Sequence, residues 1–264
     1  SMISVVILGA GNVATHLYKA FRNAENIEIT QWYNRSRSAI SSYANAVEIT
    51  DNLEDLKEAD LYIIAISDDC IAEFSSELPF KDRFVVHTSG SVAMHDIDKK
   101  NQIGVFYPLQ SFSKNAEIDF SEVPICIEGY EKENLQLLKD LAQAVGCKAH
   151  KITTEQRQTL HLAAVFVNNF TNQLYRIGHE ICETKNIEFN ILHPLIEETA
   201  KKIQHMSPFM AQTGPAKRHD KKTIKRQLKL IEKDSHASIY KLLTASIKST
   251  HGFNSPKPIK TTKA

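Results

Sequence analysis

The sequence predicts an α/β fold, with a doubly wound, mostly parallel sheet in residues 1–152 and an all-helical domain in residues 153–264. Short apolar runs alternate with helical patterns as far as Ile152, which is typical of parallel sheets that carry helices on both faces. No strand pattern follows Ile152. A glycine-rich turn also separates the first apolar run from the first helical pattern, as in many nucleotide-binding sheets.

Seven strands are predicted, and several are apolar at consecutive positions, as expected for a sheet covered on both faces. They are Ser4–Leu8, Ile27–Tyr33, Leu61–Ile66, Phe84–His87, Ile103–Phe106, Ile125–Glu128 and Lys148–Ile152. Between them the helical patterns are Asn12–Arg22, Cys70–Leu78 and Glu131–Val145.

The helical domain is predicted to begin at a capping box formed by Thr153 and Gln156, which opens a long helix to about Lys185. Asp220 and Asp234 are the predicted N-caps of two later helices. The later helices are expected at about Pro194–His205, Lys221–Glu232 and Ser235–Lys248. The tail from about residue 253 is expected to be disordered, because it is rich in proline and lysine.

Composition excludes several classes of function. The net charge is +1, so no strong field favours nucleic acid or a membrane as a partner. No apolar run approaches the roughly 18 residues of a membrane span, and the chain starts directly in a strand rather than a signal segment. Four cysteines without a CxxC pair predict reduced thiols and a cytoplasmic protein. The histidines lack metal-binding spacing, so no metal site is predicted.

The turn after the first strand matches the G-x-G-x-x-G/A fingerprint of dinucleotide-binding Rossmann domains. Its members are Gly9, Ala10, Gly11, Asn12, Val13 and Ala14. Gly9 permits the tight turn, Gly11 lets the backbone approach a pyrophosphate, and free N–H groups at the helix N-terminus bind the phosphates. The alternative is a tight turn without a ligand.

The end of the second strand indicates which dinucleotide binds. NAD-binding domains place an acidic residue there for the ribose 2′-hydroxyl, whereas this chain has Asn34, Arg35, Ser36 and Arg37. Guanidinium groups and a hydroxyl suit a 2′-phosphate, so NADP is the predicted cofactor. The missing carboxylate also argues against a methyltransferase. The alternative interpretation is a solvated basic loop.

These residues resemble the pyrroline-5-carboxylate reductase and 6-phosphogluconate dehydrogenase-like superfamily. The chain is most similar to NADP oxidoreductases whose C-terminal domain is of the DUF2520 type, over nearly its whole length. The resembling segments are 107–112, 160–169 and 214–220. This resemblance implies a Rossmann domain for NADP and a helical dimerisation domain, and it leaves the substrate open.

One departure from the superfamily concerns the catalytic residue. The β-hydroxyacid dehydrogenase branch has a lysine three residues before an asparagine pair, but here Val165 precedes Asn168 and Asn169 at that spacing. His161 lies one helical turn earlier and shares a face with Asn168. We therefore predict His161 as the acid/base and Asn168 as an orienting donor. The alternative is that both residues only tie the helix to the first domain.

Other candidates follow the strand ends, which line the ligand crevice of open α/β sheets. Ser67 is predicted to bind the cofactor, and Ser89 and Gly90 the substrate. Arg218, in the segment 214–220, is a candidate for binding an anionic substrate, unless that segment is only a lead-in to the next helix. The active cleft is expected between the sheet domain and the first helix after it.

Together these features predict an NADP-dependent oxidoreductase that transfers a hydride to or from a small, anionic metabolite. A homodimer through the helical domain is expected, because the helical pattern over Gln158–Tyr175 is apolar on most of its circumference and must be surrounded. Two alternatives stay open: a non-catalytic NADP(H) sensor and a dimeric scaffold module.

Overall fold

A computed structural model describes residues 1–252 of the chain, so the predicted disordered tail lies outside the described residues. The described chain divides into two compact units, the first ending at Phe170 and the second starting at Thr171. The last strand ends at Lys151, and the described residues after it are helical or irregular.

The first unit contains one sheet of eight strands in the order β3-β2-β1-β4-β5-β6-β7-β8. The strands are β1 (Ile3–Leu8), β2 (Ile27–Tyr33), β3 (Ile49–Thr50), β4 (Leu61–Ile64), β5 (Phe84–His87), β6 (Gln102–Pro108), β7 (Ile125–Gly129) and β8 (Ala149–Lys151). All neighbouring pairs are parallel except β6 and β7. The strand order reverses between β1 and β4, which is the topological switch point at which such sheets bind ligands.

The central strands are buried on both faces, as their apolar runs predict. Val5 and Ile7 of β1 belong to one apolar cluster, whereas Val6 and Leu8 belong to another. This alternation follows from the two-residue period of a strand. The helices of the first unit are α1 (Asn12–Arg22), α2 (Ile71–Ser76), α3 (Lys132–Ala144) and α4 (Thr154–Ala164). The first cluster contains apolar residues of α1 and α3, and the second contains Ile71 of α2.

A π-helical segment, Val165–Phe170, directly follows α4. The second unit then contains α5 (Thr171–Glu183), α6 (His193–Lys202), α7 (Pro208–Ala211), α8 (Lys221–Leu230) and α9 (His236–His251). The predicted long helix to Lys185 is therefore α4, the π-helical segment and α5 in succession. The change of helix type was not predicted, because a π-helical segment of six residues is too short to show a period of its own.

Two helix starts are confirmed in detail. The Thr153 side chain accepts from the Gln156 N–H at 3.1 Å, and the Gln156 side chain accepts from the Thr153 N–H at 2.9 Å, which completes the capping box. Asp220 caps α8 by accepting from the Thr223 N–H at 3.1 Å.

The prediction of Asp234 as an N-cap was wrong by one residue. Ser235 occupies that position in α9, and Asp234 instead accepts from the N–H of His236 at 2.9 Å. The two-residue strand β3 and the four-residue helix α7 were not predicted, because elements this short have no measurable period.

Candidate active site

The turn between β1 and α1 has the geometry that its glycines predict. Gly9 has φ +120°, and a Cβ placed on it would lie 2.2 Å from the carbonyl oxygen of Ala65. Gly11 is the N-cap of α1, and a Cβ there would meet no atom within 4 Å. The amides of the first helical turn have no intrahelical acceptor. Open space therefore faces free N–H donors, the arrangement that a pyrophosphate requires.

A first cavity of about 660 Å³ lies over this turn, at the ends of β1, β4 and β5. Six predicted cofactor residues line it: Ala10, Gly11, Asn12, Val13, Asn34 and Ser67. Ser89, predicted for the substrate, lines the same cavity, together with Asp68, Thr88, Gln110 and Phe112. The sequence motifs thus converge on one site although they are separated along the chain.

Four predicted cofactor residues do not line the first cavity. Gly9 lies beneath it, with its N–H bonded to the carbonyl of Tyr33 at 2.9 Å. Arg35, Ser36 and Arg37 are exposed in the turn after Asn34. The Asn34 side chain donates to the Ser36 carbonyl at 2.9 Å, which shapes this turn beside the cavity. No carboxylate lies in the segment 34–37.

The segment after β5 connects the first cavity to α4. Ser89 Oγ accepts from the N–H groups of Ser91 and Val92 at 3.1 and 3.0 Å, which closes a tight turn. Ser91 in turn donates to the Asp68 carboxylate at 2.8 Å. The segment 89–92 is therefore held in one shape, with Ser89 at the cavity and Gly90 next to it.

Arg157 of α4 is a residue that sequence reasoning missed. Its side chain is 1% exposed, and its guanidinium donates to the carbonyls of Ser89 and Val92 at 2.8 and 2.7 Å. The Glu128 carboxylate lies 3.4 Å away, and burial lowers the pKa of Arg157 while this carboxylate opposes the shift. Arg157 thus fixes the segment 89–92 against α4. An isolated arginine in a helical pattern carries no signal of such a role.

His87, at the end of β5, is fully buried beneath this segment. Its Nδ1 accepts from the Ser89 N–H at 3.0 Å, so the proton of the neutral ring is on Nε2, 3.4 Å from the Ala93 carbonyl. Burial, and then the charge of Arg157, lower the pKa of His87 to about 4. The ring is therefore neutral at physiological pH.

We expect His87 to make the protein acid-sensitive. The ordinary pKa in the unfolded chain is about 6.5, so between about pH 6.5 and pH 4 the unfolded state binds a proton that the native state does not. The free energy of unfolding should therefore fall by about 3 kcal/mol as the pH is lowered from about 6.5 to 4. Above about pH 6.5 this group should not change it. Urea unfolding at several pH values gives the free energy of unfolding as a function of pH. Its slope against pH should be smaller for His87→Gln than for the wild type. The exposed His95→Gln variant should keep the wild-type slope; equal slopes in all three proteins would contradict this assignment.

A second cavity of about 600 Å³ lies against α4 and the π-helical segment. His161 and Asn168, the predicted catalytic residues, both line it, with Asn169. Tyr107 and Gln110 reach it from β6 and the segment that follows. Gln110 lines both cavities, so the second cavity adjoins the first. The remaining lining is mainly apolar: Leu109, Leu160, Ala163, Ala164, Val165 and Val167.

The π-helical segment contains both Asn168 and Asn169. Such single π turns occur often at functional sites, because the extra residue per turn reorients the side chains that follow. Gly90, predicted for the substrate, contacts this region through His161: a Cβ on Gly90 would lie 2.5 Å from His161 Nδ1.

Arg218, the remaining predicted substrate residue, belongs to the second unit. Its side chain is 61% exposed and lies 3.9 Å from the Asp220 carboxylate. The preceding Gly214 has φ +102° and the following His219 has φ +54°, so the segment 214–220 is a tight, irregular loop.

Within the described residues, no group of three His, Cys, Asp or Glu side chains could hold a metal ion. In residues 1–252, no helix combines the length and the apolar character needed to cross a membrane.

Two family models match the chain. The one described as "NADP oxidoreductase coenzyme F420-dependent" matches residues 4–90, which contain the glycine turn and the basic segment. The DUF2520 model, a domain of unknown function, matches residues 123–247. No functionally curated protein matches the chain.

Solved structures with the same architecture include reductases. A pyrroline-5-carboxylate reductase from Coxiella burnetii has a TM-score of 0.56 at 14% identity, covering 97% of this chain and 100% of its own. An imine reductase from a Pseudomonas species has a TM-score of 0.68 at 15% identity, covering 95% and 94%. At these identities the likeness establishes the fold alone.

A closer likeness is to the "putative NADP oxidoreductase" of Bacteroides fragilis. The two sequences are 37% identical, the match covers 93% of this chain and 98% of that one, and the TM-score is 0.83. The N-terminal and C-terminal models, the glycine turn and this relative agree with one another. The chain therefore belongs to the oxidoreductase family in which an NADP oxidoreductase domain of the coenzyme F420-dependent type is followed by a DUF2520 domain.

Proposed function

We propose that the protein is an NADP-dependent oxidoreductase that transfers a hydride to or from a small, anionic metabolite. The observation that carries this proposal is the first cavity, where the glycine turn and the ends of β4 and β5 meet at the topological switch point. An adjoining second cavity offers space for a substrate next to that position. When bound, NADPH would supply the hydride.

The residues of the first cavity fit a dinucleotide phosphate. We expect the amides of Asn12 and Val13 to bind the pyrophosphate, and the open space before Gly11 supports this assignment. We expect Arg35, Ser36 and Arg37 to bind a 2′-phosphate, and their exposure leaves them free to reorient onto it. The absence of an acidic residue in the segment 34–37 removes the usual partner of the NAD ribose.

We expect Arg35→Ala to weaken NADPH binding roughly tenfold or more and NADH binding little, because one charge-assisted contact contributes about 1.5–3 kcal/mol. Calorimetric titration with each cofactor measures both affinities. Gly11→Val should abolish binding of both cofactors, since its side chain would enter the space for the pyrophosphate. Arg22→Ala, at the opposite end of α1, is the matched control. Equal losses for the two cofactors in Arg35→Ala would refute the NADP assignment.

The anionic character of the substrate is proposed from Arg218, the exposed guanidinium in the segment 214–220. Guanidinium groups bind carboxylates and phosphates with two parallel hydrogen bonds. The segment also contains Lys217 and His219, both exposed. A screen of small carbonyl compounds and imines, with and without acidic groups, tests this by the loss of NADPH absorbance.

A second candidate function is that of a sensor that binds NADP(H) without turnover. Val165 occupies the position of the lysine in the β-hydroxyacid dehydrogenase branch, and this observation favours the sensor. The same screen separates the two functions, because a sensor binds the cofactor but oxidises none of it. A dimeric scaffold with a purely structural cofactor would also give no turnover, so NADPH binding separates it only weakly from the sensor.

We also propose a homodimer formed through the helical unit. Of its described residues, 171–252, only Ile177, Ala216 and Ile224 are buried, too few for a core. Large apolar side chains of this unit are instead exposed: Leu174, Ile181, Ile187, Ile191, Leu195, Ile203, Met206, Met210, Leu230, Leu242 and Leu243. An exposed apolar surface of this extent marks an interface, and a second copy offers the same surface in return.

Light scattering at micromolar concentration should therefore give a mass close to twice 29.8 kDa. The midpoint of thermal unfolding should also rise with protein concentration, because dilution favours dissociation. A mass of one chain, with a midpoint independent of concentration, would refute the dimer.

We propose that the protein is cytoplasmic. All four cysteines are free thiols, and Cys126 and Cys147 are buried without forming a disulfide. Free thiols of this kind are typical of reducing compartments.

A further inference from the structure

Tyr107 and His161 form a pair at the second cavity. Tyr107 lies in β6 and His161 in α4, 54 residues apart along the chain, and the Tyr107 hydroxyl lies 3.3 Å from Nδ1 of His161. The two rings meet edge to face, with centroids 6.1 Å apart and an interplanar angle of 76°. Both side chains line the second cavity. Sequence alone assigns a role to His161, whereas Tyr107 is only the first residue of the family-resembling segment 107–112.

Gly90 leaves the room that this pair needs. A Cβ on Gly90 would lie 2.5 Å from His161 Nδ1 and 2.9 Å from Tyr107 Cζ, far inside contact distance. Any larger residue would therefore push the two rings apart or out of place. Gly90 directly follows Ser89, which lines the first cavity. The pair thus packs against the segment that walls the cofactor position.

With its hydroxyl as the donor, Tyr107 favours one tautomer of the neutral His161 ring. Burial, with a smaller contribution from Cys126, raises the pKa of Tyr107 to about 12, so its hydroxyl keeps the proton at neutral pH. That hydroxyl needs an acceptor, and Nδ1 of the neutral ring is within reach. The proton of the neutral ring is then on Nε2, which has no hydrogen-bond partner among residues 1–252.

We propose that Tyr107 is a positioning residue that orients His161 so that Nε2 gives a proton to the heteroatom of a substrate C=O or C=N group in the second cavity. This inference rests on the proposed oxidoreductase function. In this proposal His161 donates the proton, and Tyr107 holds the His161 ring in the orientation that this donation needs. It also gives a reason for the glycine at position 90, because a larger residue there would displace both rings.

Reduction of the substrate needs one hydride and one proton. The substrate carbon forms a new C–H bond with the hydride supplied by NADPH, and the π electron pair moves to the heteroatom. The protonated His161 ring loses its Nε2 proton to that heteroatom. The neutral ring that is left carries its proton on Nδ1, which donates to the Tyr107 oxygen until a proton from solvent on Nε2 restores the protonated ring. When this ring next loses a proton to solvent at rest, it loses the one on Nδ1, and the Tyr107 hydroxyl again donates to Nδ1. The hydroxyl can serve as donor or acceptor, so it orients the ring in each state.

The test begins with a spectroscopic readout that needs neither cofactor nor substrate. Long-range ¹H–¹⁵N spectra of protein labelled at histidine report which ring nitrogen carries the proton, and a His161→Gln variant identifies the signals of His161. We expect only the Nε2–H form of neutral His161 in the wild type and a mixture of both forms in Tyr107→Phe. Tyr130→Phe, a change at a 68% exposed side chain, should give the wild-type spectrum. A wild type with its proton on Nδ1, or a Tyr107→Phe spectrum identical to the wild type, would overturn the proposal.

The second readout is turnover of whichever compound the NADPH screen identifies. Tyr107→Phe should lower kcat roughly three- to tenfold, the loss expected for one neutral hydrogen bond, with KM and NADPH affinity nearly unchanged. Gly90→Ala, which keeps both rings but crowds them, should lower kcat at least as much. Unchanged kcat in both variants would overturn the role of Tyr107 while leaving the oxidoreductase function intact. Conversely, an absence of any NADPH oxidation would refute the oxidoreductase function, and the spectra would still decide the pairing.

Discussion

Replacing Arg157 with methionine should lower the free energy of unfolding by about 3–5 kcal/mol, the usual effect of removing one partner from a buried ion pair. The change would leave the Glu128 carboxylate, 15% exposed, without its cation. It would also leave the carbonyls of Ser89 and Val92 without their donor. Methionine fills a similar length with apolar atoms, so the loss measures the charge and the hydrogen bonds more than the volume. Urea unfolding followed by circular dichroism gives the value.

A matched control separates burial from charge. Arg176→Met also removes an arginine from a helix, but this arginine pairs with Glu180 at 3.0 Å on an exposed surface. Exposed pairs at this spacing contribute about 0.3–0.5 kcal/mol, so its effect should be several times smaller. Adding Glu128→Gln to Arg157→Met should recover part of the loss, because the unpaired charge is then removed. Equal losses in Arg157→Met and Arg176→Met would show that the buried pair contributes no more to the free energy of unfolding than an exposed pair does.

The order of secondary structure could be predicted because its signals are local. The burial of β4 and β5 on both faces follows from their consecutive apolar residues, and the helix start at Thr153 follows from a four-residue capping pattern. The glycine turn could also be predicted from the sequence, since only a residue without a side chain tolerates the position of Gly9 against Ala65. These features depend on neighbours close in sequence or on a period that repeats.

Arg157 and Tyr107 could not be predicted for the opposite reason. The partners of Arg157 lie 29, 65 and 68 residues away, and nothing local marks the arginine as buried. Tyr107 follows the predicted strand Ile103–Phe106 and begins a segment noted only for its resemblance to the family, and only the fold places its hydroxyl next to His161. The π-helical segment that contains Asn168 likewise left no recognised signal in the sequence. Long-range pairings of polar groups therefore needed the structure.

His161→Ala should lower turnover by about 10²–10⁴, the range expected when a general acid is removed, while leaving NADPH affinity nearly unchanged. The cofactor affinity should be spared because His161 lines the second cavity and not the first. His150→Ala, at an exposed histidine of β8, is the matched control and should keep full turnover. Steady-state kinetics on a substrate from the NADPH screen, with calorimetry for the cofactor, measure both quantities. If His161 instead only ties α4 to the segment at Gly90, its removal should lower the thermal midpoint and leave kcat within a fewfold of the wild type. That outcome would exclude His161 as the proton donor.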